Sequence, residues 1–168
     1  MVRPAPRSLW ICLWLTLASL FIAALVPGAW WVIAGGWLVL ALAMVVDAAR
    51  AIPGAGLWLT IDAPPVMYIG EDDPLVLTFA SESHHAKTFL RVAPDVRGPV
   101  DDLQTLSDAF DPESPLRLEY RVRPNARGRV SLPAIHLGWL GPMSLVERRR
   151  LIKTEWEVAV MPNVRAGQ

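Results

Sequence analysis

The side chains able to do chemistry are few, and their spacing argues against most reactions. His84 and His85 stand close to Glu82; they read as a solvated hairpin turn, with the three as ligands to a metal ion the alternative. Neighbouring residues on a strand point to opposite faces, so both imidazoles reach one ion only from a loop. Glu71, Asp72 and Asp73 lack the alternating oxygen ligands and the glycine of an EF-hand loop, and read as a solvated turn. A longer acidic stretch between Pro94 and Pro115 carries Asp95, Asp101, Asp102, Asp108, Asp111 and Glu113, and reads as a plain solvated loop, with an exposed docking surface as the alternative. Combined with His84 and His85 it would make a metal-dependent hydrolase, the enzymatic alternative for this chain. There is no G-x-x-x-x-G-K phosphate loop and no G-x-S-x-G nucleophile turn. The residues nominate no catalytic side chain, no cofactor and no metal site.

Two further features invite a chemical reading. Arg148-Arg149-Arg150 follows the apolar Met143-Ser144-Leu145-Val146. The run serves either as a charged edge that blocks strand aggregation or as a contact with anionic headgroups, each base contributing about 1 kcal/mol near the leaflet. Cys12 is the single cysteine, so no disulfide can form within the chain, and it reads as a small apolar packing residue.

The elements that must position these residues fall into two parts. From Ser8 to Val46 there is no Asp, Glu, Lys, Arg or His. Two apolar runs of roughly 18–19 residues come close to the ~30 Å hydrocarbon core of a bilayer. We read a transmembrane hairpin with helices over 8–26 and 29–46, reversed at Pro27-Gly28, after a short N-terminus at 1–7. Trp30 and Trp31 suit the outer interface and Trp10 the inner one. Gly35, Gly36, Ala18, Ser19, Ala23 and Ala24 are the small residues expected to form the helix seam. The same seam would serve a homo-oligomer, which gives the third reading, a purely structural membrane subunit. Without an intramembrane charge there is no proton or ion path. Arg3, Arg7 and Arg50 flank the spans, and the positive-inside rule then puts both termini in the cytoplasm. A secretory leader is the rival reading, but no Ala-x-Ala site follows the first run.

The remainder, after a linker at 47–56, is one β-domain over 57–164 with a tail at 165–168. Arg3 and Arg7 are the only bases before Asp47, so the chain from Asp47 onward carries fourteen bases against sixteen acids. That balance gives no basic footprint for nucleic acid. Leu116, Leu118, Tyr120 and Val122 alternate with Arg117, Glu119, Arg121 and Arg123, the clearest strand in the chain. Other strands are expected at 57–62, 66–68, 75–80, 87–93, 129–137 and 144–152, with a last one through Trp156, Val158 and Val160. Between 103 and 110 the pattern allows a short helical turn. Short strands at this spacing, with turns rich in Gly, Pro and Asp, predict an antiparallel immunoglobulin-like β-sandwich.

Three short motifs recur in order through this domain: Arg127-Gly128-Arg129-Val130-x-Leu132-Pro133, Gly141-Pro142-Met143-Ser144-Leu145 and Val160-Met161-Pro162. Behind a helical hairpin, they resemble the bacterial domain-of-unknown-function family 58. Its members carry an Arg-Gly-Arg-Tyr-type strand start, an Asp-Pro-Phe-Gly-Leu-type turn and a Val-Tyr-Pro-type strand end. Here Gly141, Met143 and Ser144 stand where that pattern has Asp, Phe and Gly. Family members usually continue into a von Willebrand factor A-like domain; this sequence stops at Gln168, as expected of a short or truncated member or of one whose second domain is separately encoded. The resemblance implies a non-catalytic interaction or assembly module at the inner membrane, working beside MoxR-type AAA+ ATPases and von Willebrand factor A-like proteins. It implies Arg127, Gly128, Gly141, Pro142, Leu145 and Pro162 as the motif positions, and brings no catalytic residue.

Overall fold

A computed structural model describes residues 2–26, 28–81 and 87–162. Two long helices, α1 (Pro6–Leu25) and α2 (Trp30–Arg50), stand outside the β-domain and form the hairpin. Both are long and apolar enough to cross a membrane, with a mean hydropathy of 2.1. Their surfaces are bare: Trp10, Trp14, Leu20, Phe21, Trp30 and Trp31 are all more than 60% exposed. Pro6 at the first turn of α1 costs nothing, because its missing N–H would have had no partner there.

The shielded positions of α1 are Ser8, Cys12, Leu15, Ser19 and Ile22, three and four apart, and those of α2 include Ile33, Gly36, Leu40, Ala43 and Asp47. That is the spacing of a two-helix seam. The expected seam is corrected in part. Ser19 and Gly36 belong to it, and a Cβ on Gly36 would lie 3.3 Å from Leu15 Cδ1. Ala18, Ala23, Ala24 and Gly35 face outward. Nor does α2 stop at Val46: it runs on to Arg50, four residues into the stretch read as a linker.

The β-domain packs two sheets face to face. The strands are β1 (Val2–Pro4), β2 (Leu57–Asp62), β3 (Val66–Tyr68), β4 (Asp73–Ser81), β5 (Thr88–Arg97), β6 (Leu106–Phe110), β7 (Leu116–Val122), β8 (Gly128–Leu140) and β9 (Val146–Met161). The larger sheet has the order β1-β9-β8-β5-β6, with β3 on the far half of β9; the smaller is β2-β4-β7. All pairs are antiparallel except β3 with β9. In β7 the alternation holds residue by residue, with Leu118, Tyr120 and Val122 inward and Arg117, Glu119 and Arg121 in solvent. Phe79, Leu75, Leu77, Met67, Leu90, Val92, Leu132 and Ile135 form the fully buried centre.

Three elements differ from the sequence reading. The segment before Phe110 is strand β6, not a helical turn, because it completes the edge of β5 from Leu106 to Phe110. The last two strands are one, β9, which stays paired with β8 and absorbs one irregularity opposite Pro133, a residue with no N–H to give the ladder. Finally, Val2–Pro4 is a strand, with Arg3 opposite Glu147 on β9.

Candidate functional site

The hairpin and the sandwich meet at one carboxylate. Asp47 lies in the last turn of α2, where the helix dipole disfavours an acid, so its retention there calls for another partner. The partner is the turn between β8 and β9. Asp47 Oδ1 accepts the Met143 N–H at 2.6 Å, and Oδ2 accepts those of Leu145 and Val146 at 2.8 and 2.9 Å. The residue is fully buried. Gly141 makes room for it, since a Cβ at that position would sit 2.5 Å from the carboxylate. Ser144 closes the turn in the left-handed region, at φ 57°. The start of α1 joins the same place: the Ala5 N–H donates to Leu145 O at 2.9 Å, and Ser8 Oγ donates to Ala5 O at 2.7 Å.

Further bonds tie the end of α2 and the chain after it to the larger sheet. Trp139 Nε1 donates to Ile52 O at 3.0 Å, Arg148 Nη2 to Ala48 O at 2.8 Å and Arg150 Nη1 to Leu57 O at 3.2 Å. Arg148 and Arg150 are thus half-buried clamps on backbone carbonyls, and of the arginine run only Arg149 is exposed. Arg149 makes a two-pronged pair with Glu147, both contacts at 3.1 Å, which raises its pKa further.

The outer face of the larger sheet, next to this junction, is concave. A cavity of about 780 Å³ opens over Arg91, Ser107, His136, Gly138, Glu147 and Arg149. A second hollow shares Arg91, Gly138 and Arg149 and continues past Phe89 to Pro6, where α1 begins. Gly138 pairs with Arg91 on one side and Arg149 on the other, leaving a gap between two guanidinium-bearing strands.

The motif positions divide between opposite ends of the sandwich. Gly141, Pro142 and Leu145 belong to the hairpin junction; Pro142 is exposed and Leu145 buried. Arg127 and Gly128 are exposed at the other end of β8, where Gly128 pairs with Val160 and Pro162 follows β9. Twelve residues of β8 separate Gly128 from Gly141, about 40 Å of strand. They do not form one site.

The acidic residues are dispersed. Asp95 contacts Arg97 at 3.6 Å, and Asp108 lies on β6. Asp111 meets Lys87 at 2.8 Å; this hydrogen bond holds the lysine above its usual pKa and the carboxyl below its own. Asp73 opens β4 and accepts the Tyr68 N–H at 3.4 Å. Among the described residues no group of three or more His, Cys, Asp or Glu could hold a metal ion. Glu82, His84 and His85 lie outside the described residues.

Sequence reasoning missed Asp47 as a site residue, and one signal could have found it. It is the first charge after the apolar stretch, in a helical turn that disfavours acids. The facing of Arg91 and Arg149 across Gly138 had no local signal.

No family model matches the chain, and no curated protein matches it. Among solved structures it is similar to native alpha-2-macroglobulin from Escherichia coli, taken from domain MG7 to the C-terminus. That match has a TM-score of 0.47 at 20% identity, covers 67% of this chain and spans only 17% of the other. It is also similar to a chain of the human seminal-plasma complex of zinc 2-glycoprotein with prolactin inducible protein (TM-score 0.43, 9% identity, 62% and 93% covered). A cohesin module of a Clostridium perfringens family 33 glycoside hydrolase matches with a TM-score of 0.37 at 10% identity, covering 62% and 96%.

Proposed function

We propose that this chain is a non-catalytic, membrane-anchored interaction module of the domain-of-unknown-function 58 type. In this reading the hairpin spans a bacterial inner membrane and holds the sandwich against its cytoplasmic face. There the domain docks protein partners, a MoxR-type AAA+ ATPase first among them. The observation that carries it is the junction at Asp47. Because β1 pairs with β9 and Asp47 binds the β8–β9 turn, both open ends of the hairpin meet the sandwich. Two exposed apolar helices with both ends on one body suit an anchor that fixes the orientation of what it carries.

The turn also supports the resemblance. Ser144, at positive φ, occupies the place where the family pattern has glycine. Gly141 occupies the place of the pattern's aspartate, and a carboxylate is present there all the same, supplied by Asp47.

The topology is tested with single cysteines in a Cys12→Ala chain expressed in bacteria. A membrane-impermeant maleimide should label Gly28→Cys in intact cells and Asn125→Cys only after permeabilisation. The reverse pattern would overturn the cytoplasmic assignment. The partnership is tested by purifying the tagged full chain from solubilised membranes of its own host. A MoxR-type ATPase should co-elute in near-stoichiometric amount, and its absence under ATP-stabilising conditions would overturn that part.

A further inference from the structure

The outer face of the larger sheet grades from apolar to basic with distance from the hairpin. Nearest α1 are Phe89, 63% exposed, and Leu140, which line the hollow that reaches Pro6. One step further are Ser107 on β6, Arg91 on β5, Gly138 on β8 and Arg149 on β9, paired in sequence across the sheet. Arg3 on β1 lies opposite Glu147 at the adjoining edge. The next step, with His136 opposite Leu151, lies further from the helices.

The covalent chain fixes how far this face is from the membrane. Arg3 precedes Pro6, the first residue of α1, by three residues, a reach of at most ~11 Å. The three arginines therefore fall at headgroup depth if α1 enters the bilayer. An exposed aromatic on the membrane side and cations behind it match the layering of a bilayer interface, where rings sit at the acyl boundary and guanidiniums reach the phosphates. Arg91 and Arg149 stand two strands apart, ~10 Å between backbones, and the residue between them has no side chain. Glu147 offsets one charge through its pair with Arg149 and rests over Gly138, its Oε1 3.1 Å from where a Cβ would be. Among these residues, three arginines stand against the one carboxylate of Glu147.

From this layering we propose that the outer face of the larger sheet is a binding site for an anionic phospholipid headgroup. The Glu147 carboxylate swings aside and the phosphate takes its place between Arg91 and Arg149, Ser107 serves as a hydroxyl donor, and Phe89 inserts beside the acyl chains. The site holds the sandwich tilted onto the leaflet, so that partners meet it in one orientation. The inference rests on the reading that the hairpin spans the membrane, and the experiment separates the two.

The full chain carrying Cys12→Ala and Phe89→Cys is labelled with an environment-sensitive fluorophore and reconstituted into vesicles. One set is phosphatidylcholine alone; the other contains a third phosphatidylglycerol, and both carry brominated acyl chains as quencher. Expected is flotation with both sets, and quenching of the label only with phosphatidylglycerol. Arg91→Gln with Arg149→Gln should raise the phosphatidylglycerol fraction for half-maximal quenching by roughly fivefold or more, since each base contributes about that factor near a charged leaflet. Flotation without quenching, or equal quenching in both lipids, overturns the headgroup site and leaves the anchor standing. If soluble polyglutamate shifts the label in phosphatidylcholine vesicles while phosphatidylglycerol does not, the face binds acidic protein and the lipid site is wrong. A chain that fails to float refutes the membrane reading, and the lipid site with it.

Discussion

Replacing Asp47 with alanine should separate the hairpin from the sandwich. The carboxylate accepts three backbone N–H groups at 2.6, 2.8 and 2.9 Å while fully buried. A hydrogen bond to a charged acceptor contributes about 1.5–3 kcal/mol net, and a buried donor left without a partner costs about 1–3 kcal/mol. Water can reach some of the freed donors, because Met143 is exposed, so the sum is less than three full penalties. We expect a loss of about 3–5 kcal/mol, a large share of the roughly 5–15 kcal/mol that holds a domain together. Asp47→Asn should lose about half as much, since it keeps one acceptor oxygen but turns an amide NH₂ toward an N–H donor. Gly141→Ala should approach the alanine variant from the other side, because its Cβ would overlap the carboxylate. The assay is thermal unfolding of the full chain in mild detergent, followed by near-UV circular dichroism of Trp139, with hydrogen exchange at Leu145 and Val146. At ~2–4 °C per kcal/mol the alanine variant should melt at least ~6 °C lower and lose protection at both amides. If it melts within ~2 °C of the parent with both amides still protected, Asp47 does not join the two parts, and the rigid-anchor argument fails.

Three further outcomes follow from local geometry. Gly98 has φ +129°, and a Cβ there would run into the Arg129 carbonyl, so Gly98→Ala should cost about 2–4 kcal/mol by chemical denaturation. Ser144→Gly should raise stability by about 0.5–1 kcal/mol in the same assay, because φ 57° strains any residue with a Cβ; a loss would show that the hydroxyl matters more. Burial pushes the Tyr120 phenol up to about 12, against a Leu106 backbone hydrogen bond that lowers it. The folded state then holds this proton more tightly than the unfolded chain, so its contribution is complete below pH ~10 and is lost as pH rises toward 12. Absorbance at 295 nm should show that late step and Tyr120→Phe should abolish it; superimposable curves would contradict the assignment.

Local pattern was enough to read the two apolar helices and most strands, because each rests on a period written within a few residues. The strict alternation of Leu116 to Val122 and the uncharged stretch from Ser8 to Val46 needed no partner to interpret. Weak periods were read less well. Leu106 to Phe110 is a strand because β5 offers it an edge, and Val2–Pro4 is a strand because β9 does. The long acidic loop looked like one surface in sequence, yet its carboxylates point to Lys87, Arg97 and solvent separately.

What the order of residues determined by itself is a bare apolar hairpin joined to a β-domain, since both follow from hydrophobic period and turn chemistry. Only tertiary structure decided how the parts meet and where charge collects. Asp47 is 96 to 99 residues from the amides it binds, and no local rule links a helix end to a turn so far along the chain. The consecutive Arg148, Arg149 and Arg150 separate because a strand sends neighbours to opposite faces, two inward to carbonyls and one outward. Arg91 and Arg149 come together instead, across a glycine, because strand pairing sets residues side by side whatever their distance in sequence.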